Sequence, residues 1–263
     1  MPSLIIGKKL VSFDVDTDEY KVPDYINEIS ARAFYGNSRL AALQVPQSVG
    51  IIGDEAFREC ISMKYIGLPD QVEEMGSQVF LQCRSLLSLR IPSGVKKMDA
   101  FMFGSCGKLK EVWVPETVQE IDRNCFSGAF SLSRIHIDPE QIKLLPEKYQ
   151  NQAALTFMSS WGGGSQGKIP EKKERILSAM VSEDPEEFGS LVLDSNDKQA
   201  LVFILDRKLL PYDCIQNLTD KAVAMKNTEL SAILLEAANI MRNEEKEQGM
   251  GVKDDPAAWD PFA

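Results

Sequence analysis

The fold is decided by the stretch at residues 49–71, which reads VGIIGDEAFRECISMKYIGLPDQ and whose pattern recurs at an interval equal to its own length. One column of the repeat is aromatic and consists of Phe34, Phe57, Phe80, Phe103 and Phe126. A second column carries thiols and includes Cys60, Cys83 and Cys106. The other columns are mostly small or apolar, and no insertion interrupts the period. A fixed period of this length predicts a stack of repeated coils.

Each coil combines two extended segments with one compact turn. Residues 86–92, LLSLRIP, alternate apolar and polar positions at their end, which predicts a short strand that the proline terminates. Residues 49–53, VGIIG, predict a second extended edge, and the following Ala-Phe pair predicts a short helical turn with Phe inward. Because the burial in one coil does not offset the entropy of ordering it, the coils must stack on one another.

Residues 49–60 match the pattern Val-x-x-Ile-Gly-x-x-Ala-Phe-x-x-Cys almost fully. On these residues the chain resembles the bacterial BspA-like, or Treponema-type, leucine-rich repeats over about residues 22–138. The resemblance implies an α/β repeat solenoid of short strands and short helical turns. Many members of that family are secreted or surface proteins.

The repeats are followed by a segment with helical periodicity, so the predicted fold is a repeat solenoid joined to a small all-α domain. Asp184 is predicted to cap one helix, and residues 220–239 weakly resemble one ankyrin-type helix pair. The predicted segments are an N-terminal cap at 1–21, five full repeats at 22–138, a capping helix at 139–158, a Gly/Ser linker at 159–168, a helical module at 169–245 and a disordered acidic tail at 246–263.

Composition excludes several classes of function. Lys and Arg total 29 while Asp and Glu total 39, and the resulting net charge of −10 argues against nucleic-acid binding. Apolar runs are too short for membrane insertion, and no secretory leader is apparent, so a cytoplasmic location is expected. The alternative is a cell-surface adhesin or antigen whose leader is missing from this sequence, with a surface glycan or host protein as its partner.

Two near-matches to catalytic chemistry are weak. Gly162 to Lys168 nearly matches a phosphate-binding loop, but Ile169 replaces the hydroxyl residue that would hold magnesium, so a linker is favoured. The only histidine, His136, lacks a suitable nucleophile nearby. The cysteine column is interpreted as buried thiols, with a disulfide or a metal as the less favoured alternatives. No enzyme activity, cofactor or metal is therefore expected, although a hydrolase or nucleotide-binding enzyme is kept as a third hypothesis.

The strands supply the better candidate for a binding site. Side chains that flank the central apolar residue of each strand point to solvent, and several are of the types enriched at binding hot spots. The predicted partner-binding residues are Tyr65, Arg90, Glu111, Trp113, Arg134 and His136. The alternative is that they only stabilise the sheet through cross-strand pairs. We therefore expect a non-enzymatic interaction scaffold for an unidentified protein, with the Asp-Pro-Phe motif at residues 260–262 as an alternative docking peptide.

Overall fold

The computed structural model describes residues 3–162 and 169–247. The chain forms two compact units, which we call the repeat unit, Met1–Ala153, and the helical unit, which begins at Ala154. All of the predicted phosphate-loop near-match except Gly162, most of the predicted linker, and residues 248–263 of the predicted tail with its Asp-Pro-Phe motif lie outside the described residues.

The repeat unit is a β-solenoid whose longer strands follow one side of the stack. These strands are β3 (Glu19–Lys21), β5 (Ala42–Gln44), β7 (Tyr65–Gly67), β9 (Ser88–Arg90), β11 (Glu111–Trp113) and β13 (Arg134–His136). They form two parallel three-stranded sheets, ordered β3-β5-β7 and β9-β11-β13. Each strand occupies the Leu-x-x-Ile-x-Ile segment of its coil, which confirms the strand predicted there.

Shorter strands form a second side of the coils. These strands are β4 (Glu28–Ile29), β6 (Ile51–Ile52), β8 (Glu74–Met75), β10 (Lys97–Met98) and β12 (Glu120–Ile121). The stack opens with a hairpin of β1 (Leu4–Ile6) and β2 (Lys9–Ser12), and β2 continues the parallel ladder by pairing with β4. The hairpin lies within the segment predicted as a cap, and it covers the open edge of the first short strand.

The Ala-Phe stretches, predicted as short helical turns, form consecutive tight turns. The amide of Arg58 donates to the carbonyl oxygen of Glu55 at 3.0 Å, whereas the amide of Phe57 donates to the carbonyl oxygen of Val79 in the next coil, also at 3.0 Å. Glu55 and Glu59 adopt left-handed backbone angles, with φ of 54° and 63°. Because some amides bond to the neighbouring coil, the hydrogen-bond ladder of a helix does not form here.

The core is organised around the phenylalanine column. All five rings are fully buried, and consecutive rings from Phe34 to Phe126 lie 5.2 to 5.7 Å apart. Phe13 extends the column at one end, 4.8 Å from Phe34. Tyr149 closes it at the other end, where its ring meets Phe126 edge-on at 5.4 Å and its hydroxyl donates to the Phe126 carbonyl oxygen at 3.1 Å.

The last coil is followed by a 3-10 helix, Pro139–Leu144, and by α1, Glu147–Gly162. The helix predicted to end at Met158 therefore continues for another turn. Its last turn lies in the segment predicted as a linker, so the linker prediction is wrong for residues 159–162. Ser159, Ser160 and Trp161 are compatible with a helix, and Phe157 stacks on Trp161 at 5.3 Å, which accounts for the extension.

The helical unit contains five further helices among the described residues. They are α2 (Glu171–Glu183), α3 (Pro185–Asp194), α4 (Lys198–Asp206), α5 (Tyr212–Ala224) and α6 (Thr228–Glu247). Asp184 caps α3 as predicted, because its carboxylate accepts the Glu187 amide at 2.9 Å. α4 stops at Asp206, and Pro211 directly precedes the first residue of α5.

Two helix–turn–helix pairs, α3–α4 and α5–α6, follow one another and share the same capping pattern. Asp197 accepts the Ala200 amide at 3.0 Å, and Asn227 accepts the Leu230 amide at 3.2 Å, so the second helix of each pair is capped in the same way. The turns also contact each other, since the Asn227 amide donates to the Asn196 side-chain oxygen at 2.7 Å. The single pair predicted over residues 220–239 is thus one of two, and its helices are longer than predicted.

The close approach of neighbouring coils makes one glycine of the repeat a test of the stacking. A Cβ added at Gly53 would lie 2.4 Å from the backbone nitrogen of Ala31, whereas a Cβ added at Gly67 would have no neighbour within 4 Å. We expect Gly53→Ala to lower the free energy of unfolding by about 1–3 kcal/mol. Gly67→Ala should change it by less than about 0.5 kcal/mol in urea denaturation. Equal effects of the two variants would contradict this packing.

Candidate partner-binding face

The outward side chains of β7, β9, β11 and β13, together with the residue that precedes each strand, form what we call the strand face. Parallel pairing sets its register. Trp113 lies opposite Arg90 on one side and opposite His136 on the other, and Glu111 lies opposite Arg134. The side chains of these five residues are therefore held at the spacing of neighbouring strands, about 4.8 Å.

An aromatic and cationic stack runs along this face. The Trp113 and His136 rings are parallel to within 4°, and their centroids are 4.9 Å apart. The guanidinium carbon of Arg90 lies 5.6 Å from the Trp113 ring centroid, within cation–π range. Both faces of the indole are thus covered by neighbours on its own sheet.

A hydrogen bond connects this stack to the charged row beside it. The Nε2 of His136 donates to the Oε1 of Glu111 at 2.7 Å, and the same oxygen lies 4.0 Å from the Nη1 of Arg134. The side chain of Glu111 is 26% exposed and that of Arg134 is 70% exposed. The carboxylate is therefore engaged by its neighbours, while the guanidinium is available to solvent.

Tyr65 stands apart from the other five predicted residues. It is 57% exposed and lies in β7, whose sheet is not continuous with that of β9. Among the described residues its side chain makes no ring contact or hydrogen bond with the stack. Gly67, next but one along β7, has no side chain with which to extend the stack beyond Arg90, and a Cβ added there would have no neighbour within 4 Å. The structure thus brings five of the six predicted residues together.

Two lysines of the strand face were missed by the sequence analysis. Lys64 and Lys110 directly precede β7 and β11, and both are exposed. Within the described part of the chain, neither lysine has a carboxylate within ion-pair distance, and the same holds for Arg90. Both lysines belong to the repeat column that lies one position before each strand, and this column was the available signal in the sequence. The sequence analysis considered only the two columns that flank the central apolar residue of each strand.

The cysteine column lies away from this face, inside the stack. The thiols of Cys60, Cys83 and Cys106 are free and buried, and each donates a hydrogen bond to a phenylalanine carbonyl oxygen of the preceding coil at 3.0 to 3.1 Å. Burial raises the pKa of the Cys60 thiol, and that of Cys106, to about 12. These thiols are protonated at neutral pH and serve as hydrogen-bond donors between coils.

Other surfaces offer less to a ligand. No group of three His, Cys, Asp or Glu side chains arranged to hold a metal occurs among the described residues. Over the same residues, no helix has the length and apolar character that crossing a bilayer requires. The helical unit does carry an apolar groove of about 450 Å³ between α4 and α6, lined by Val202, Leu205, Ile233 and Ile240 among others.

Comparison with known proteins identifies the repeats. The family model for the BspA type leucine rich repeat region matches residues 27–156 with six copies. Residues 27–156 are a BspA-type leucine-rich repeat region. No curated protein matches the chain.

Solved structures similar to this chain come from several bacteria. A leucine rich cell surface protein from Faecalibacterium prausnitzii is 29% identical over 48% of this chain and 34% of its own, with a TM-score of 0.47. The T. pallidum leucine rich repeat protein is 27% identical over 50% of this chain and 64% of its own, with a TM-score of 0.48. A leucine-rich repeat protein from Eubacterium ventriosum is 21% identical over 49% and 36%, with a TM-score of 0.48. The chain therefore spans less than two thirds of the length of each.

The raised thiol pKa values predict a loss of stability at alkaline pH. An unfolded cysteine ionises near pH 8.5, whereas the Cys60 thiol stays protonated up to about pH 12 in the folded state. The stabilising effect is therefore complete below about pH 8.5 and is lost as the pH rises towards 12. The hydroxyl of a Cys60→Ser variant still donates a hydrogen bond but does not ionise. Between pH 8 and pH 10 we therefore expect the free energy of unfolding to fall by about 2 kcal/mol less in this variant than in the wild type.

Urea denaturation at the two pH values measures this difference. Other groups, such as lysines and tyrosines, titrate equally in the wild type and in the variant, so the comparison isolates one thiol. Parallel pH dependence in the two proteins would contradict a buried, protonated Cys60.

Proposed function

We propose that the protein is a non-enzymatic scaffold that binds a protein partner through the strand face of its repeat unit. Leucine-rich repeat proteins are generally binding scaffolds, which supports the class of function. The finer assignment, that this particular face is the binding surface, is our proposal and depends on the arrangement of five side chains.

The observation that supports it is the arrangement of Arg90, Trp113, His136, Glu111 and Arg134 on one outward surface. Their mutual contacts fix the rotamers of long side chains before any partner arrives, which lowers the entropic cost of binding. Trp and Arg are also the residue types that dominate measured binding energies at interfaces.

The same contacts contribute little to the fold itself. Cross-strand pairs are worth about 0.2–1 kcal/mol each, and the exposed pair of Arg134 with Glu111 is worth less because solvent screens it. The core beneath consists of the apolar and phenylalanine columns, which do not include these residues. Binding and stability are therefore separable by mutation.

We expect Trp113→Ala/Arg134→Glu to abolish capture of the partner from a lysate of the native organism while lowering the free energy of unfolding by less than about 2 kcal/mol. The measurement is affinity capture with mass spectrometry, together with urea denaturation of the same preparations. The interpretation that these residues only stabilise the sheet predicts an unchanged set of captured proteins.

A matched control changes the same residue types elsewhere on the repeat unit. Phe130 is 93% exposed and Arg123 is exposed, and neither belongs to the strand face. Phe130→Ala/Arg123→Glu should leave both capture and stability unchanged. Loss of the same partner in this control would mean that the strand face is not the binding surface.

The cytoplasmic location expected from the sequence stays a prediction, because BspA-type proteins are often found at the cell surface. Protease treatment of intact cells separates the two locations. A cytoplasmic scaffold should remain full-length until the cells are lysed, whereas cleavage in intact cells would support the adhesin alternative. In either location the proposed binding surface is the same.

A further inference from the structure

The charge of the strand face is opposite to that of the whole chain. The protein carries a net charge of −10. On the strand face, however, each of the four strands β7, β9, β11 and β13 carries one cation, either within the strand or directly before it. These cations are Lys64, Arg90, Lys110 and Arg134. Among the described residues that form this face, only Glu111 carries a carboxylate. The face is therefore a local cationic surface on an acidic protein.

Three of these four cations form no ion pair among the described residues, whereas Arg134 lies 4.0 Å from the Glu111 carboxylate. Among the described residues, Lys64, Lys110 and Arg90 have no ion-pair partner, and Glu111 is already hydrogen-bonded to His136. On the side with the short strands, two lysines are instead paired within the fold, whereas Lys96 is unpaired there as well, within the described part of the chain. There the ammonium of Lys9 lies 2.6 Å from the Glu28 carboxylate, which neutralises it within the fold. The ammonium of Lys97 on that side is likewise paired, at 3.2 Å from a Glu120 carboxylate oxygen.

From this asymmetry we infer that the strand face binds an acidic, extended segment of a partner protein. The inference rests on the proposed function, since it names the chemistry of the partner for the same surface. The unpaired ammonium and guanidinium groups supply the positive charge that complements carboxylates. The excess of positive charge on this surface also disfavours basic partner segments.

The spacing of the cations fits an extended chain. One cation occurs per coil, and neighbouring coils are about 4.8 Å apart along the stack. The cations are staggered, since Arg90 lies three positions and Arg134 one position further along its coil than the column of Lys64 and Lys110. Alternate side chains on one side of an extended peptide are about 6.6–6.8 Å apart, and the long, flexible lysine and arginine side chains span the remaining differences. A partner with an acidic residue at every second position therefore places a carboxylate near each cation.

An acidic protein segment fits better than a nucleic acid. Single strands are bound by stacking successive bases on several exposed aromatic rings. Among the described residues of the strand face, both faces of the Trp113 indole are covered by Arg90 and His136, which leaves Tyr65 as the single exposed ring. Duplex DNA carries one negative charge per about 1.7 Å, so the net charge of −10 on this chain would repel it over its whole length. A short acidic segment meets only the local cationic surface.

The test uses the full chain and two fluorescently labelled peptides, one of alternating Glu and Ser and one in which Gln replaces Glu. The affinity for the Glu peptide should exceed that for the Gln peptide and should fall as salt is added. Lys64→Glu/Lys110→Glu should weaken binding of the Glu peptide by about tenfold or more. Lys64→Arg/Lys110→Arg should retain it. Neither lysine contacts Trp113, so the aromatic stack is left in place.

The matched control is Lys96→Glu/Lys143→Glu, which makes the same change in net charge at exposed lysines outside the strand face. This control should leave the affinity within about twofold of the wild type. Equal weakening in both double variants, or equal binding of the Glu and Gln peptides, would overturn the inference. Tighter binding of a labelled single-stranded DNA than of the Glu peptide would also overturn it.

Failure here and failure of the proposed function give different results. In one outcome, a captured partner is lost with Trp113→Ala/Arg134→Glu but kept with Lys64→Glu/Lys110→Glu. This outcome would support the strand face as the binding surface and would contradict the inference that the partner segment is acidic. A partner kept by both variants would show that the strand face is not the binding surface.

Discussion

The structure of the repeat unit depends on the contact between one coil and the next. A single coil has too little apolar surface to offset the entropy of ordering its backbone, so each coil is stable only against its neighbours. Three interactions recur along the stack, namely parallel strand hydrogen bonds, the stacked phenylalanine rings and, at Cys60, Cys83 and Cys106, the thiol-to-carbonyl hydrogen bonds. All three require an unchanged coil length, which explains why no insertion interrupts the repeat between Phe34 and Phe126.

This stacking also creates the candidate site. Because inward columns provide the core, outward columns are free to vary, and neighbouring strands hold whatever they carry in fixed register. Trp113 and His136 belong to successive repeats and yet their rings are parallel, which results from the strand pairing and not from any local motif. Among the described residues, Lys64 and Lys110 of the same face have no such side-chain contacts, and this difference separates the residues that maintain the surface from those available to a ligand.

The periodic part of the chain could be predicted from the sequence because the residues of one column occupy the same structural environment in every coil. The strands, the inward Phe column and the Arg90–Trp113–His136 stack follow from it directly. The tight turns at Glu55 and Glu59 could not be predicted, since their left-handed conformation depends on hydrogen bonds to the next coil. In the helical unit, the cap at Asp184 has a local signature, whereas the pairing of Asn227 with Asn196 and the continuation of α1 to Gly162 depend on contacts that no short pattern encodes.

Site-specific photo-crosslinking in cells tests the central claim, that the strand face is the surface that binds a partner, most directly. Benzoylphenylalanine would replace Tyr65, which is 57% exposed on the strand face, and in a second protein Ile51, which is 40% exposed on the side with the short strands. The account predicts an adduct with a protein at position 65, mapped to an acidic segment of that protein, and none at position 51. Adducts at position 51 alone, or equal adducts at both positions, would contradict it.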